Sequence, residues 1–230
     1  AYDEIIYSIL LMQELLIDCC PGISGDMLLA AFYDLGVPKE VIEKPLFDLG
    51  LGGSYLLTFS ESKSKSLRGI KTDVKILDNT QKRTWKNIRE LVLNGNLENS
   101  LELKIIEVFD ALAKAESSVH GIAPDDICFH EIGSIDSLVD IIGVCAAVNF
   151  LRPNKIYCST PTLGSGTIKT EHGKLSIPSP AVIDLVSKFN IEVSTEYECI
   201  NDELSTPNGI AIICTLVDSF KLPIKYSLNS

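Results

Sequence analysis

The chain has 230 residues, 46% of them hydrophobic and 22% charged, a balance that supports a packed globular core and excludes wholesale disorder. Its formal net charge is −11, and no Lys/Arg stripe interleaved with aromatics occurs, so nucleic acid is excluded as the main partner: phosphate backbones select basic faces. An acidic surface is compatible with cations, metal ions included.

The first apolar stretch, EIIYSILLMQELL, follows Asp3 and Glu4 instead of a basic segment, has no small-residue cleavage site and is too short to span a bilayer. Neither a secretory signal nor a membrane anchor is expected, and the cytoplasm is the default compartment. Leu15-Leu16-Ile17 reads as a short buried strand closed by Asp18. The loop CCPGISGD leads to a helix over 27–35, which Gly36 and Val37-Pro38 stop, and a second helix runs over 38–49. Residues 54–60 and 70–77 alternate enough to form two strands, joined by the polar stretch ESKSKSLRG. Thr84 is a good N-cap for a helix carrying Trp85, Ile88, Leu91 and Val92.

Leu101, Ile105, Val108, Leu112, Ala115 and Val119 recur at steps of three and four, which predicts one long helix with a single apolar stripe. A strand over 127–132 and a helix over 136–151, its centre IIGVCAAV buried all round, come next. A strand at 156–158, a glycine-rich passage, a helix over 180–188, a short strand near 191–193 and a last helix over 207–220 complete the chain. Strands alternating with helices predict an α/β fold. We expect a mostly parallel or mixed sheet with packed helices, in one domain over 17–222, with a small β-hairpin subdomain at about 54–77. The cysteines, at 19, 20, 128, 145, 158, 199 and 214, are odd in number and lack CxxC spacing. Most of them read as small buried apolar residues, with no disulfide framework or zinc knuckle.

Four loops carry candidate chemistry. In FHEIGSIDSLVDIIG, residues 129–143, His130 and Glu131 end a strand, Ser134 is placed to cap the next helix, and Asp136 and Asp140 lie one helical turn apart on one face. One imidazole and three carboxylates within eleven residues are a dense group of N/O ligands. The plainer reading makes Asp136 a first-turn acid and His130 a hydrogen-bonded core residue. In PGISGDM, residues 21–27, Gly22, Ser24 and Gly25 form a strand-to-helix turn whose backbone N–H groups and helix dipole suit an anion. Asp18 and Asp26 flank it, placed to hold a hydrated cation beside a bound phosphate, and the plainer reading makes Asp26 a first-turn helix acid. It matches neither a P-loop nor GxGxxG. In LGSGTIKTEHGKLSIPSPA, residues 163–181, Gly164, Gly166 and Gly173 relax the backbone around Lys169 and His172, as in a ligand surface or a long β-hairpin. In ELSTPNG, residues 203–209, Thr206-Pro207 is an N-cap with proline at the first helical position. GxSxG is absent, so a serine nucleophile elbow is not supported.

Five blocks in order, DCCPGISGDMLLAAFYDLGV, AESSVHG, FHEIGSIDSLVDIIG, IYCSTPTLGSGTIKTEHGKLSIPSPA and ELSTPNGIAII, resemble the LarC nickel-insertion family over most of the chain. The resemblance implies nickel insertion into pyridinium-3,5-bisthiocarboxylic acid mononucleotide, with one metal–carbon and two metal–sulfur bonds formed in a CTP-dependent, lyase-type reaction of nickel-pincer cofactor biosynthesis. It implies nickel, and magnesium or manganese with CTP. On that basis Gly22, Ser24, Gly25, Gly164, Ser165, Gly166, Lys169 and Thr206 are candidate nucleotide or phosphate contacts. His130, Glu131, Asp136, Asp140, His172, Asp18 and Asp26 are candidate metal ligands. The chain departs from the family in three ways. LDNTQKR at 77–83 replaces a histidine-rich tract, Cys20-Pro21 replaces Phe-Ser, and the family's C-terminal domain is expected to lie outside this chain, with residues 1–16 read as an extension. The partners expected are a nucleotide-like substrate and a LarC-type C-terminal partner or a second copy, with no nucleic acid and no membrane. A non-catalytic metal- or nucleotide-binding module acting with a separate C-terminal partner is the alternative, and a magnesium-dependent phosphate-transfer enzyme the third reading.

Overall fold

A computed structural model of the chain describes residues 14–78, 83–127, 134–170, 173–194, 202–223 and 225–227. Its helices are α1 (Gly25–Asp34), α2 (Lys39–Asp48), α3 (Trp85–Leu93), α4 (Asn99–His120), α5 (Ile135–Leu151), α6 (Pro180–Lys188) and α7 (Pro207–Leu216). The strands are β1 (Glu14–Ile17), β2 (Tyr55–Ser64), β3 (Leu67–Ile76), β4 (Lys155–Cys158), β5 (Gly166–Thr170) and β6 (Gly173–Ile177). The α/β expectation holds, with helices outweighing sheet: β1 and β4 pair in parallel, and β2–β3 and β5–β6 are antiparallel hairpins.

α5 is the hub. Every residue from Ile141 to Val148 is buried, as its unbroken apolar run requires of a helix packed on all sides. α1, α2, α4 and α7 surround it. On the α2 side, Gly143 lets Ile42 and Leu29 come so close that a Cβ there would stand 2.9 Å from each. The α4 stripe is buried from Leu101 through Ala115, whereas Val119 is 41% exposed. The stripe therefore runs past the core into open space at the end of the helix.

Three expectations need correction. The stretch 61–69 is not a long turn. The ladder continues to Ser64 opposite Leu67, leaving Lys65 and Ser66, both at positive φ, as a two-residue hairpin turn of the kind that matches strand twist. The distal half of this ribbon is exposed on both faces, so no alternation marks it in the sequence. The last helix stops at Leu216 because Val217 becomes extended. Asp218 N–H then donates to Ile156 O at 2.9 Å, and Ile156 N–H to Asp218 Oδ2 at 2.7 Å, which lays this segment beside β4. Residues 191–193 form no strand; Ser194 alone bridges Thr162. The strand expected over 127–132 lies, beyond Ile127, outside the described residues, as do Cys128 and Cys199. Cys19, Cys145, Cys158 and Cys214 are buried and Cys20 is exposed. The Cys19 and Cys158 sulfurs are 3.1 Å apart, and that contact together with burial holds the Cys19 thiol above its usual range.

Glycines draw the loops together. A Cβ on Gly209, in the first turn of α7, would lie 2.4 Å from Ile23 O. The same backbones are joined by hydrogen bonds from Thr206 N to Ile23 O (3.0 Å) and from Ile23 N to Leu204 O (2.9 Å). Gly209→Ala is expected to cost about 1–3 kcal/mol by overpacking. Gly53→Ala, where an added Cβ meets nothing within 4 Å, is the matched control. Urea unfolding of the two variants measures the difference, and equal midpoints would show that this junction is not tight.

Candidate functional site

Four helices begin around one cavity. Ser24 caps α1, its Oγ accepting from Met27 N–H at 3.4 Å and donating to Asp26 Oδ1. At the start of α5, Asp136 Oδ1 accepts from Ser134 Oγ and from Ser137 N–H, the latter at 3.0 Å. Ser179-Pro180 opens α6. Thr206 caps α7, accepting from Gly209 N–H at 3.2 Å. The first turns of all four, through Ser24 and Asp26, Asp136 and Ser137, Ser179 to Ala181, and Thr206 to Asn208, line a cavity of about 810 Å³. Helix N-termini carry partial positive charge and unsatisfied N–H groups, so their convergence suits an anion.

Carboxylates share the same space. Asp26, Asp73, Glu116, Asp136, Asp140 and Glu203 line the cavity, against Lys71 and His120 as the described cationic or imidazole groups. Asp140 stands out among them. Gly25 leaves it room, since a Cβ there would come within 2.5 Å of Asp140 Cβ and 2.7 Å of Oδ2. Its Oδ1 is buried and has no hydrogen-bond partner among the described residues. Burial first, then the charges of Asp26 and Asp136, push its carboxyl up to about 8. Asn208 Nδ2 donates to Ser137 Oγ at 3.0 Å while its Oδ1 is likewise buried without a described partner. Buried polar atoms left in this state call for a ligand, ion or water. An anion-friendly rim around crowded carboxylates can hold a phosphate and a cation together. Yet among the described residues no group of three or more His, Cys, Asp or Glu side chains is arranged to hold a metal ion by itself.

Of the residues singled out in the sequence, Ser24, Asp26, Asp136, Asp140 and Thr206 line this cavity. Gly22, Gly25, Gly164, Ser165, Gly166, Lys169 and Asp18 are not among its described lining. Gly22 and Gly164 instead permit close backbone approach, to Leu204 O at 2.0 Å and Asp202 O at 2.2 Å from an added Cβ, at φ of 147° and 89°. Ile168 of β5 faces the cavity, and its neighbour Lys169 is exposed, as strand alternation dictates. Asp18 sits past the end of β1, where its Oδ1 accepts from Ser159 Oγ at 2.9 Å and Cys20 N–H at 3.2 Å. His130, Glu131 and His172 lie outside the described residues.

Sequence reasoning missed Lys71, Glu116, His120, Ser179, Glu203 and Asn208. Lys71 arrives by a tertiary route. Thr72 Oγ1 donates to Asp26 O at 3.0 Å, and the ribbon lies on α1 through Arg68–Asp34 at 3.0 Å and stacked Tyr33 and Phe59 rings 4.1 Å apart. Glu116 and His120 had a signal, since they are four apart on the helix whose apolar stripe was read.

Asp140 makes stability depend on pH. Its carboxyl keeps its proton to about 8 when folded and loses it near 3.8 when unfolded, so between those values the folded state binds more protons. Stability then falls as pH rises, with a slope approaching about 1.4 kcal/mol per pH unit. Thermal melts from pH 5 to 8 should show Asp140→Asn gaining on the wild type and overtaking it at pH 8; parallel curves would contradict this account of Asp140.

The nickel insertion protein family matches residues 15–230. A pyridinium-3,5-bisthiocarboxylic acid mononucleotide nickel insertion protein of Akkermansia muciniphila is 33% identical over 221 residues, covering 93% of this chain and 53% of the relative. The protein of the same name in Clostridium kluyveri is 31% identical over 230 residues, 95% of this chain and 57% of the relative. A Synechococcus protein provisionally named a nickel insertion protein is 35% identical over 210 residues, 91% and 52%. The chain thus spans about half the length of the curated relatives it matches. No solved structure matches. Among the described residues no helix is long and apolar enough to cross a membrane.

Proposed function

The chain belongs to the nickel insertion protein family, and on that premise we propose that it takes part in inserting nickel(II) into a pyridinium-3,5-bisthiocarboxylic acid mononucleotide, the substrate named for its relatives. The observation that carries this reading is the meeting of four helix first turns with the unpartnered, buried Asp140 Oδ1 in one cavity. A mononucleotide presents a phosphate, which the N–H groups and caps at Ser24, Ser179 and Thr206, with Lys71, are suited to receive. It also presents a positively charged ring, which an acidic cavity favours.

Nickel is the metal substrate. Asp26, Asp136 and Asp140, with His130, Glu131 and His172 as further candidates, escort it or hold magnesium or manganese beside a phosphate. Oxygen ligands suit the hard cations and imidazole suits nickel. A cation near Asp140 offsets the repulsion among the three aspartates and draws the proton from its carboxyl. Gly22, Gly25, Gly164, Ser165, Gly166 and Lys169, and Asp18, contribute to this reading by shaping or flanking the loops. CTP supplies the driving force in a lyase-type cytoplasmic reaction. The second reading is a non-catalytic metal- or nucleotide-binding module that acts with a separate C-terminal partner or a further copy.

The test incubates the chain with the bisthiocarboxylate mononucleotide, nickel(II), magnesium or manganese and CTP, with and without the C-terminal half of a relative. Product is read by mass. Nickel-bearing product from the chain alone supports the enzyme, and product only with the added half supports the module. Asp140→Asn should lower product formation about 100-fold, equal to about 2.7 kcal/mol of barrier, while remaining folded. No nickel-bearing mononucleotide under either condition, or full activity in Asp140→Asn, would overturn the assignment of this cavity.

A further inference from the structure

We propose that Glu116 and His120 contribute a carboxylate and an imidazole to a nickel(II) seat on the wall of the cavity, from which the ion passes to the substrate; this rests on the nickel-insertion reading. Both side chains line the cavity. They project from the last turns of α4, four residues apart and hence on one face, with Ala115 beside them at 0% exposure and Gly121 ending the helix at φ 68°. His120 Nε2 lies 3.4 Å from Glu116 Oε2, with the side chains 35% and 16% exposed.

That spacing fits adjacent ligands of one ion. Imidazole and carboxylate bonds to a first-row divalent metal run about 2.0–2.2 Å, which puts neighbouring ligand atoms about 3 Å apart. A small opening of the ion pair admits the metal without moving the helix. The chemistry separates this pair from the aspartates that line the same cavity. Carboxylates alone select magnesium or manganese, whereas an imidazole shifts a site toward nickel. Among the described residues His120 is the imidazole that lines the cavity.

A donor of metal must also release it again. A full protein cage would hold nickel against transfer. Glu116 and His120 place the ion on the cavity wall, where the two sulfur atoms of a 3,5-bisthiocarboxylate can reach it. As those sulfurs bind, the bonds to Glu116 and His120 are released and no oxidant or reductant is consumed.

The chain has three histidines, so their ring Cε1–H signals can be followed singly by NMR as nickel(II) alone is titrated into the full chain, and assigned from His120→Gln. Paramagnetic broadening of the His120 signal at the lowest nickel additions is expected. Loss of even an outer-shell partner costs about 10–100-fold in metal affinity. Nickel affinity by calorimetry should therefore fall about tenfold or more in His120→Gln and in Glu116→Gln, with magnesium affinity unchanged in both. A sharp His120 signal in nickel-loaded wild type, or undiminished nickel affinity in His120→Gln, overturns this seat and leaves the nickel-insertion reading intact. A wild-type chain that binds no nickel(II) overturns both.

Discussion

The contact between the first turn of α1 and the side of α5 governs how the rest of the molecule can be arranged. Gly25 lets Asp140 approach the start of α1 to a distance that any Cβ would forbid. Asp26 and Asp136 then set their charges beside the same carboxyl, and burial removes much of the water that would otherwise screen Asp140. Such a cluster is costly in the folded chain, since like charges in a poorly solvated space repel strongly. The fold tolerates it because α5 is held on every side by apolar packing, and because the helix N-termini around the cavity supply partial positive charge. A ligand carrying both a cation and an anion relieves the repulsion and fills the unsatisfied positions together.

The loops that surround this contact work as braces. Gly22, Gly164 and Gly209 each permit backbones from distant parts of the chain to touch, binding the 18–26 loop, the 159–166 passage and the start of α7 into one unit. Ser205 fixes the same junction: its Oγ donates to Thr162 O at 2.6 Å and accepts from Ile23 N–H at 3.2 Å. A phosphate-sized ligand at the cavity would therefore meet N–H groups already held in place, so little ordering cost accompanies binding.

How far the chain's own letters reveal this arrangement depends on whether the determining contacts are local. Helix α5, the Asp136–Asp140 face, the Thr84 and Thr206 caps and the α4 stripe follow from spacing and capping chemistry within a few residues, and all were legible. The role of the glycines was legible only in part. A glycine-rich loop reads the same whether it opens N–H groups to an anion or lets two backbones meet, and the choice rests on Leu204, Asp202 and Ile23, far away in the sequence. Lys71 escaped notice because an exposed, two-faced polar ribbon has no periodicity, and tertiary contacts with α1, the Thr72–Asp26 bond among them, bring it to the cavity. Lys169 drew attention by its glycine neighbours, yet strand alternation gives the cavity face to Ile168.

The central claim is that this one cavity gathers the mononucleotide and the metal. Crystals of the chain soaked with nickel(II) and the bisthiocarboxylate mononucleotide, with diffraction collected at the nickel absorption edge, test it most directly. The account predicts an anomalous peak inside the cavity bounded by Asp140 and His120, with the nucleotide phosphate against the first turns of α1, α6 and α7. A nickel peak and nucleotide density outside that cavity, with Asp140 Oδ1 still without a partner, would contradict it.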